Sequence, residues 1–425
     1  MIILHKISKI DTYFIFRCYM IIEWSVENFL SFSDEQKLSC EATTDSSLRD
    51  SNVFEIGDKR IVKSVAVFGD NGGGKSNLLN ALGYLQGILS RGILFGGTED
   101  YPSSEYHHLE RISDNSAYLK IELVVLLNEV KYHYGVSITC HGTVKDEFLN
   151  VYLTARPQQW FHRYYDVQNG KYVYELCVKL KGDKNIWEKA TDCNELFLSK
   201  ASKLGSKQIL PLHQYLSNQL VFLTGDYLIK TANKLRRSGE HKGVAELCEF
   251  FGIPCLDIER SFMSCSQNGR QVSLFYEFES DTTLDLLDFV FVLSDVLRHG
   301  KTLIADSFLD RLHPITVRKV LDLFHNPAIN TRKSQLFFTS HMVSLLDQKL
   351  LRRDQIWFVE KNVELTPDTG MGASELHQLT AFSPRKTDNI ERNYLAGEYR
   401  SIPKPGDISK VIACFSSEND CCSSL

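Results

Sequence analysis

The chain has 425 residues, enough to bury a full core, and its length allows one large domain or a few smaller ones. Its 48 Lys and Arg against 53 Asp and Glu give a net charge of −5, which excludes a uniformly basic nucleic-acid coat but leaves local basic patches open. The 11 cysteines include no Cys-x-x-Cys pair and no Cys/His cluster at zinc spacing, so buried, reduced thiols in a cytoplasmic chain are expected.

Residues 1–19 are read as an N-terminal extension. The apolar run YFIFRCYMIIEW is too short to span a bilayer, is interrupted by Arg17 and lacks a cleavage site, so neither export nor membrane association is expected. From Met20, IIEWSVENFLSF and QKLSCEA alternate and read as paired strands of a short edge sheet. Residues 20–100 continue with a strand from Ser64 to Phe68, a glycine-rich turn and an amphipathic helix presenting Leu78, Leu79, Leu82, Leu85 and Ile88 on one face.

Residues 101–270 read as an insertion. Period-two alternation from about 117 to 180 indicates an antiparallel β region, and about 194 to 252 read as helices and loops. Over 271–403 an α/β pattern returns, with VSLFYEF, KTLIAD and QLFFTSH as strands and SDTTLDLLDFVFVLSDVLRHG and HPITVRKVLDLFHN as helices between them. Alternating strands and helices imply a parallel sheet with right-handed crossovers, so the expected fold is an α/β nucleotide-binding core split by the insertion. Residues 404–425 read as a flexible tail.

GDNGGGKS, Gly69 to Ser76, matches Gly-x-x-x-x-Gly-Lys-Ser and follows a strand and precedes a helix, the context of a P-loop. In Gly69, Asp70, Asn71, Gly72, Gly73 and Gly74, the glycines let backbone N–H groups converge on phosphate oxygens. Lys75 reaches the terminal phosphates, Ser76 brings a hydroxyl to Mg²⁺, and the helix points its positive end at the anion. ATP and Mg²⁺ are the expected cofactors. Asn71 and Asn77 fit the Asn-Gly-x-Gly-Lys-Ser-Asn form of ABC-type heads rather than that of small GTPases.

A wider set of motifs follows in order: NFLSF, FGDNGGGKSN, YHYGVSI, EFLNVYLTARPQQWF, NELFLSKASKLGSKQ, FESDTTLDLLDF, LIADSFLDRLHP, QLFFTSHMVSLLD, LRRDQIWFVEK, GASELHQL and NIERNYLAGEYRSIP. Through them, from about Met20 to Pro403, the chain resembles bacterial RloA-like and abortive-infection AAA-type ATPases, relatives of the ABC-type heads of RecF and SMC proteins. The resemblance implies a P-loop NTPase head that sandwiches ATP between two protomers, hence a homodimer or higher homo-oligomer. It also implies a link to phage defence or restriction and a separately encoded nuclease-like effector, with nucleic-acid binding left open.

On the same resemblance, Ser280 falls in the signature that touches the γ-phosphate of the partner protomer, but Thr282 stands where the family has Gly. Asp306 takes the place of the aspartate on the Mg²⁺ side. Ser307 stands where the family keeps the glutamate that activates water, and a hydroxyl cannot accept a proton at neutral pH. Asp310 is displaced by one residue in the following loop. His341 matches the switch histidine that senses the γ-phosphate or the lytic water, and Glu398 and Arg400 replace an Arg and a Gly of the tail motif.

IKTANKLRRSGEHKGV reads as a solvated helix face, with a phosphate-tracking surface as the sharper alternative. RPQQWFHRYY reads as packing within the β region, with base stacking as the alternative. The functional expectation is an ATP-binding, weakly hydrolysing sensor or scaffold of a defence system. An active RecF- or SMC-like ATPase of DNA repair is the alternative, its base supplied by Asp310 or a partner. No Toprim-like acidic cluster or His-Asn-His motif supports a nuclease.

Overall fold

The computed structural model describes residues 19–92, 94, 117–223, 225–238, 242–253, 262–267, 270–275, 281–362, 372–403 and 408–416. The first strand, β1 (Tyr19–Glu27), pairs antiparallel with β2 (Gln36–Ser39). A small hairpin, β3 (Val53–Ile56) and β4 (Lys59–Val62), leads into β5 (Ser64–Gly69) and the helix Lys75–Arg91. Then β6 (Tyr118–Leu127), β7 (Val130–Thr139), β8 (Val144–Tyr152), β9 (Gln158–Asp166) and β10 (Lys171–Leu176) form a meander with alternating burial. Because β6 also pairs with β1, these strands make one seven-stranded antiparallel sheet in the order β10-β9-β8-β7-β6-β1-β2. The short edge sheet expected at the N-terminus is thus the rim of a large one, and the expected boundary at residue 100 falls between strands of a single sheet.

Helices Lys184–Ala190, Phe197–Lys203 and Leu210–Asn218 come next, followed by β11 (Leu220–Leu223) and helices Gly225–Ser238 and Val244–Phe251. Beyond them lie β12 (Phe262–Gln267), β13 (Arg270–Phe275), helix Asp281–His299, β14 (Thr302–Ala305), helix Pro314–His325, β15 (Gln335–Thr339), β16 (Ile356–Asn362) and β17 (Ala373–Gln378). Among the described residues the second sheet runs β11-β14-β15-β5-β16-β17, parallel throughout except for β17. The core is therefore split, with β5 before the antiparallel strands and its sheet neighbours after them.

Three assignments differ from the sequence reading. The first four residues of VSLFYEF lie in β13, which among the described residues pairs with β12 as a hairpin and not with the parallel sheet; 276–278 lie outside the described residues. Its expected place is taken by β11, LVFL, read as part of a helical stretch. Four apolar residues carry no periodicity of their own, and only pairing with β14 identifies them as a strand. Residues 408–416 of the expected tail form a helix, with Ile408, Val411, Ile412 and Phe415 at helical spacing, all exposed.

The period of two in β5 divides the core. Val65 and Val67 face Trp24, Leu123 and the helix residues Leu78, Leu82, Leu85 and Ile88, between the two sheets. Ala66 and Phe68 face Phe289 and Val292 of helix Asp281–His299 and Val317, Leu321 and Phe324 of helix Pro314–His325, on the other side. Gln335 stitches the layers together, accepting from the Ile21 N–H at 2.7 Å and donating to the Ile21 carbonyl at 3.0 Å. Cys40 and Cys248 are buried as expected, but Cys193 is exposed.

RPQQWFHRYY contributes β9, with Trp160, Phe161 and Arg163 buried. Arg163 and Glu147 are both fully buried and lie 3.9 Å apart. The Glu147 carboxylate accepts from the N–H groups of Phe197 (2.7 Å) and Leu198 (2.9 Å) and from the Tyr134 hydroxyl (3.0 Å), satisfying the start of a helix. Arg163 donates to the Glu195 and Asp192 carbonyls, each at 2.6 Å. Burial pushes the Glu147 pKa up, opposed by Arg163 and the helix N–H groups. Removing one partner of a buried pair typically costs about 3–5 kcal/mol. Glu147→Ala is therefore expected to lower the unfolding free energy by about that amount in urea; a loss under about 1 kcal/mol would show that the pair does not anchor the helix to the sheet.

Candidate functional site

The loop between β5 and helix Lys75–Arg91 is built by close contact. Gly69 (φ 154°), Gly72 (φ 74°) and Gly74 (φ 116°) take backbone conformations that side chains resist. A Cβ on Gly69 would lie 2.2 Å from the Val359 carbonyl oxygen, and one on Gly73 3.0 Å from the same atom. On Gly74 it would lie 2.3 Å from Ser374 Oγ and 2.9 Å from Ser31 Oγ. Gly72, exposed with no atom within 4 Å of its hypothetical Cβ, forms the open side of the cradle. The Asn71 N–H donates to the Asp70 carboxylate at 2.5 Å.

Ser31, in the turn after β1, accepts from Asn77 Nδ2 and from Ser374 Oγ, both at 2.8 Å, and Ser374 Oγ lies 2.6 Å from the Gly73 carbonyl. Asn77 thus ties the phosphate helix to the first hairpin, which gives the residue after Lys75 and Ser76 a physical role. Sequence reading missed Ser31, Val359 and Ser374 because they are remote from the loop in the chain and carry no local signal.

Lys75 is buried, and its ammonium donates to the Gly69 carbonyl at 3.0 Å and the Asp70 carbonyl at 2.9 Å. Of its three donors, one remains beyond these two bonds. Burial lowers its pKa, while Asp306, Asp310 and Asp70 oppose that shift and hold the cation charged. Ser76, half-buried, is the second residue of the helix.

Asp306 follows β14, and His341 follows β15 by two residues. Because β14, β15 and β5 are adjacent and parallel, both arrive at the sheet edge that carries the phosphate loop, where α/β sheets bind ligands. Thr339 donates to Asp306 at 2.7 Å and accepts from the Ser307 N–H at 2.7 Å. Ser307 has φ 49°, and its hydroxyl turns towards Thr339 Oγ1 at 3.3 Å. One oxygen of Asp310 accepts from the Ser340 hydroxyl and the other from the His341 N–H at 2.9 Å. His341 is exposed; desolvation first and Lys75 second lower its pKa, and the nearby acids oppose this. Asp70, Asp306 and Asp310 each lie within electrostatic reach of both Lys75 and His341. Ser280 lies outside the described residues, and helix Asp281–His299 begins immediately after it.

These groups fit Mg·ATP. The cradle closes wherever a Cβ would enter it, a buried cation points into it, and hydroxyl and carboxylate oxygens suited to Mg²⁺ sit at the same sheet edge. Residues 64–347, more than half of the chain, match the family described as "AAA domain, putative AbiEii toxin, Type IV TA system". The chain belongs to this AAA-domain family. The match to this AAA domain runs from the first residue of β5 past His341 and so includes the phosphate loop, Asp306 and His341.

Among solved structures, the chain is similar to the SMC head domain from Thermotoga maritima (TM-score 0.40, 11% identity, covering 84% of this chain and 98% of that one). It is also similar to an Smc head bound to the C-terminal winged-helix domain of ScpA (0.42, 12%, 85% and 99%). A third is an Smc head with an extended coiled coil bound to the C-terminal domain of ScpA derived from Pyrococcus furiosus (0.37, 12%, 85% and 97%). No curated protein matches the chain.

The tail motif packs against β16. Tyr394 and Tyr399 both stack on Phe358, the residue before Val359, with centroids 5.3 and 5.4 Å away. Arg400, where the resemblance gives Gly, adopts φ 58°, the left-handed conformation that favours glycine, and its guanidinium lies 3.6 Å from Glu360. In the basic helix Gly225–Ser238, Arg236 pairs with Asp288, whereas Lys230, Lys234 and Arg237 are exposed, as a solvated face would be.

Gly74→Ala is expected to cost about 1–3 kcal/mol from backbone strain, with the contact on Ser374 adding to it. Ser374→Ala, made in the same chain, should restore part of that loss. Additive effects of the two changes in a double-mutant cycle would show that Ser374 does not press on the loop.

Proposed function

We propose that this chain is an ATP-binding switch that hydrolyses nucleotide slowly, and that it works as a homodimer or higher oligomer gating a nuclease-like effector in a bacterial defence system. The observation that carries the reading is an intact phosphate cradle beside a sheet edge whose water-activating position holds Ser307. Lys75 and the loop N–H groups would hold the triphosphate, and Ser76 and Asp306 the Mg²⁺. The bound Mg²⁺ would neutralise charge on the β- and γ-phosphates.

Each residue then has a defined task. Lys75, already desolvated, exchanges its loop carbonyls for phosphate oxygens. His341, hydrogen-bonded through its backbone to Asp310, presents an imidazole nitrogen to the γ-phosphate. Thr339 fixes the Asp306 carboxylate. Ser307 cannot act as a base, and Asp310, which accepts from the Ser340 hydroxyl and the His341 N–H, holds the switch segment in place. The family description, with its AbiEii toxin and Type IV toxin–antitoxin wording, supports a defence setting.

Lys75→Ala should weaken binding of Mg·ATP by about 100-fold or more by calorimetry, with an unchanged far-ultraviolet circular dichroism spectrum. Ser307→Glu should raise phosphate release by about 10²-fold or more, since a positioned base typically contributes about 10²–10⁴. Rapid turnover in the wild type that Ser307→Ala leaves unchanged would sink the reading and favour an active ATPase of DNA repair, which DNA-stimulated hydrolysis would then reveal.

A further inference from the structure

On the β16–β17 hairpin, Glu360 lies directly opposite Glu375 in the antiparallel register, and His377, two residues on from Glu375, shares their face. Two carboxylates placed directly opposite each other repel, so this pairing needs a cation to compensate it. The side chains are mostly covered, at 15%, 22% and 27% exposure for Glu360, Glu375 and His377. His377 Nε2 is shut off from solvent and makes no hydrogen bond, yet it lies 3.4 Å from Glu360 Oε1 and 3.5 Å from Glu375 Oε2. The ligand atoms of all three residues fall within 4.8 Å of one another. Nitrogen and oxygen ligands about 2.0–2.2 Å from an ion come closer together than that, so side-chain torsions alone can close the gap.

We propose that Glu360, Glu375 and His377 form a binding site for a first-row divalent cation such as Mn²⁺ or Zn²⁺, separate from the Mg²⁺ of the phosphate loop. One imidazole with two carboxylates suits these ions better than Mg²⁺, which takes oxygen ligands and gives up its water reluctantly. The other cation at the cluster is Arg400, 3.6 Å from Glu360 Oε1 and 63% exposed, whose long side chain can swing into solvent when the ion enters. Glu360 follows Val359, so an ion bridging β16 to β17 would brace the strand whose carbonyl presses on the phosphate loop.

The test is a titration of Mn²⁺ into the nucleotide-free, chelator-stripped full chain, followed by electron paramagnetic resonance of the free ion. One saturable site is expected in the wild type. Glu375→Gln and His377→Ala should each weaken it by more than about tenfold, since loss of even an outer-shell partner costs about 10–100-fold. Melting curves in chelator that coincide with the wild type establish that both variants fold. In the wild type itself, substoichiometric Mn²⁺ should broaden the His377 imidazole resonances before those of other histidines. Absence of saturable Mn²⁺ uptake, equal uptake by the variants, or no selective broadening at His377 would overturn the proposal and leave the trio as a side-chain cluster without a metal. Because no nucleotide is present, that failure would leave the ATP reading intact.

Discussion

The phosphate loop depends on one steric constraint, the approach of the Val359 carbonyl to the backbone of Gly69 and Gly73. A strand carbonyl and a turn can meet this closely only if no side chain intervenes, and so the glycines are fixed as much by β16 as by phosphate. Ser374 of β17 and Ser31 of the first turn apply the same restriction to Gly74. Three segments far apart in the chain thus press on one turn, and each contact leaves no room for a side chain at the glycine it meets.

Electrostatics completes the pocket. A buried ammonium without a phosphate is costly, and here two loop carbonyls and three nearby aspartates compensate it. Desolvation and then Lys75 draw the His341 pKa down, and the same aspartates oppose that shift. The two oxygens of Asp310 tie the Ser340 hydroxyl and the His341 N–H, just past the end of β15, to the loop after β14.

Much of the fold was legible because it is written locally. The P-loop pattern, the leucine face of its helix, the period of two in β6 to β10 and the helices around Gly300 and Pro314 each rest on neighbouring residues. What escaped is non-local. LVFL is a strand only because β14 lies beside it, and the hairpin fate of β13 depends on pairing with β12 rather than on its own composition. The union of β1 with β6 joins residues about a hundred positions apart, which no window of sequence reports. In the site, Lys75, Asp306 and His341 stood out by motif, whereas Ser31, Val359 and Ser374 act through backbone or hydroxyl contacts that leave no signature. Thr339 and Ser340 were visible beside His341 in FFTSH, but their hydrogen-bonding duties required coordinates.

The stacking of Tyr394 and Tyr399 on Phe358 has a consequence for synthesis. As the chain emerges from the ribosome, the glycine turn appears early, but the strand that shapes it and the rings that back that strand come some 300 residues later. Nascent chains stalled before residue 399 would carry the complete nucleotide motif without the buttress that gives it form. On that order of synthesis, the shape of the turn waits on a segment made long after its glycines.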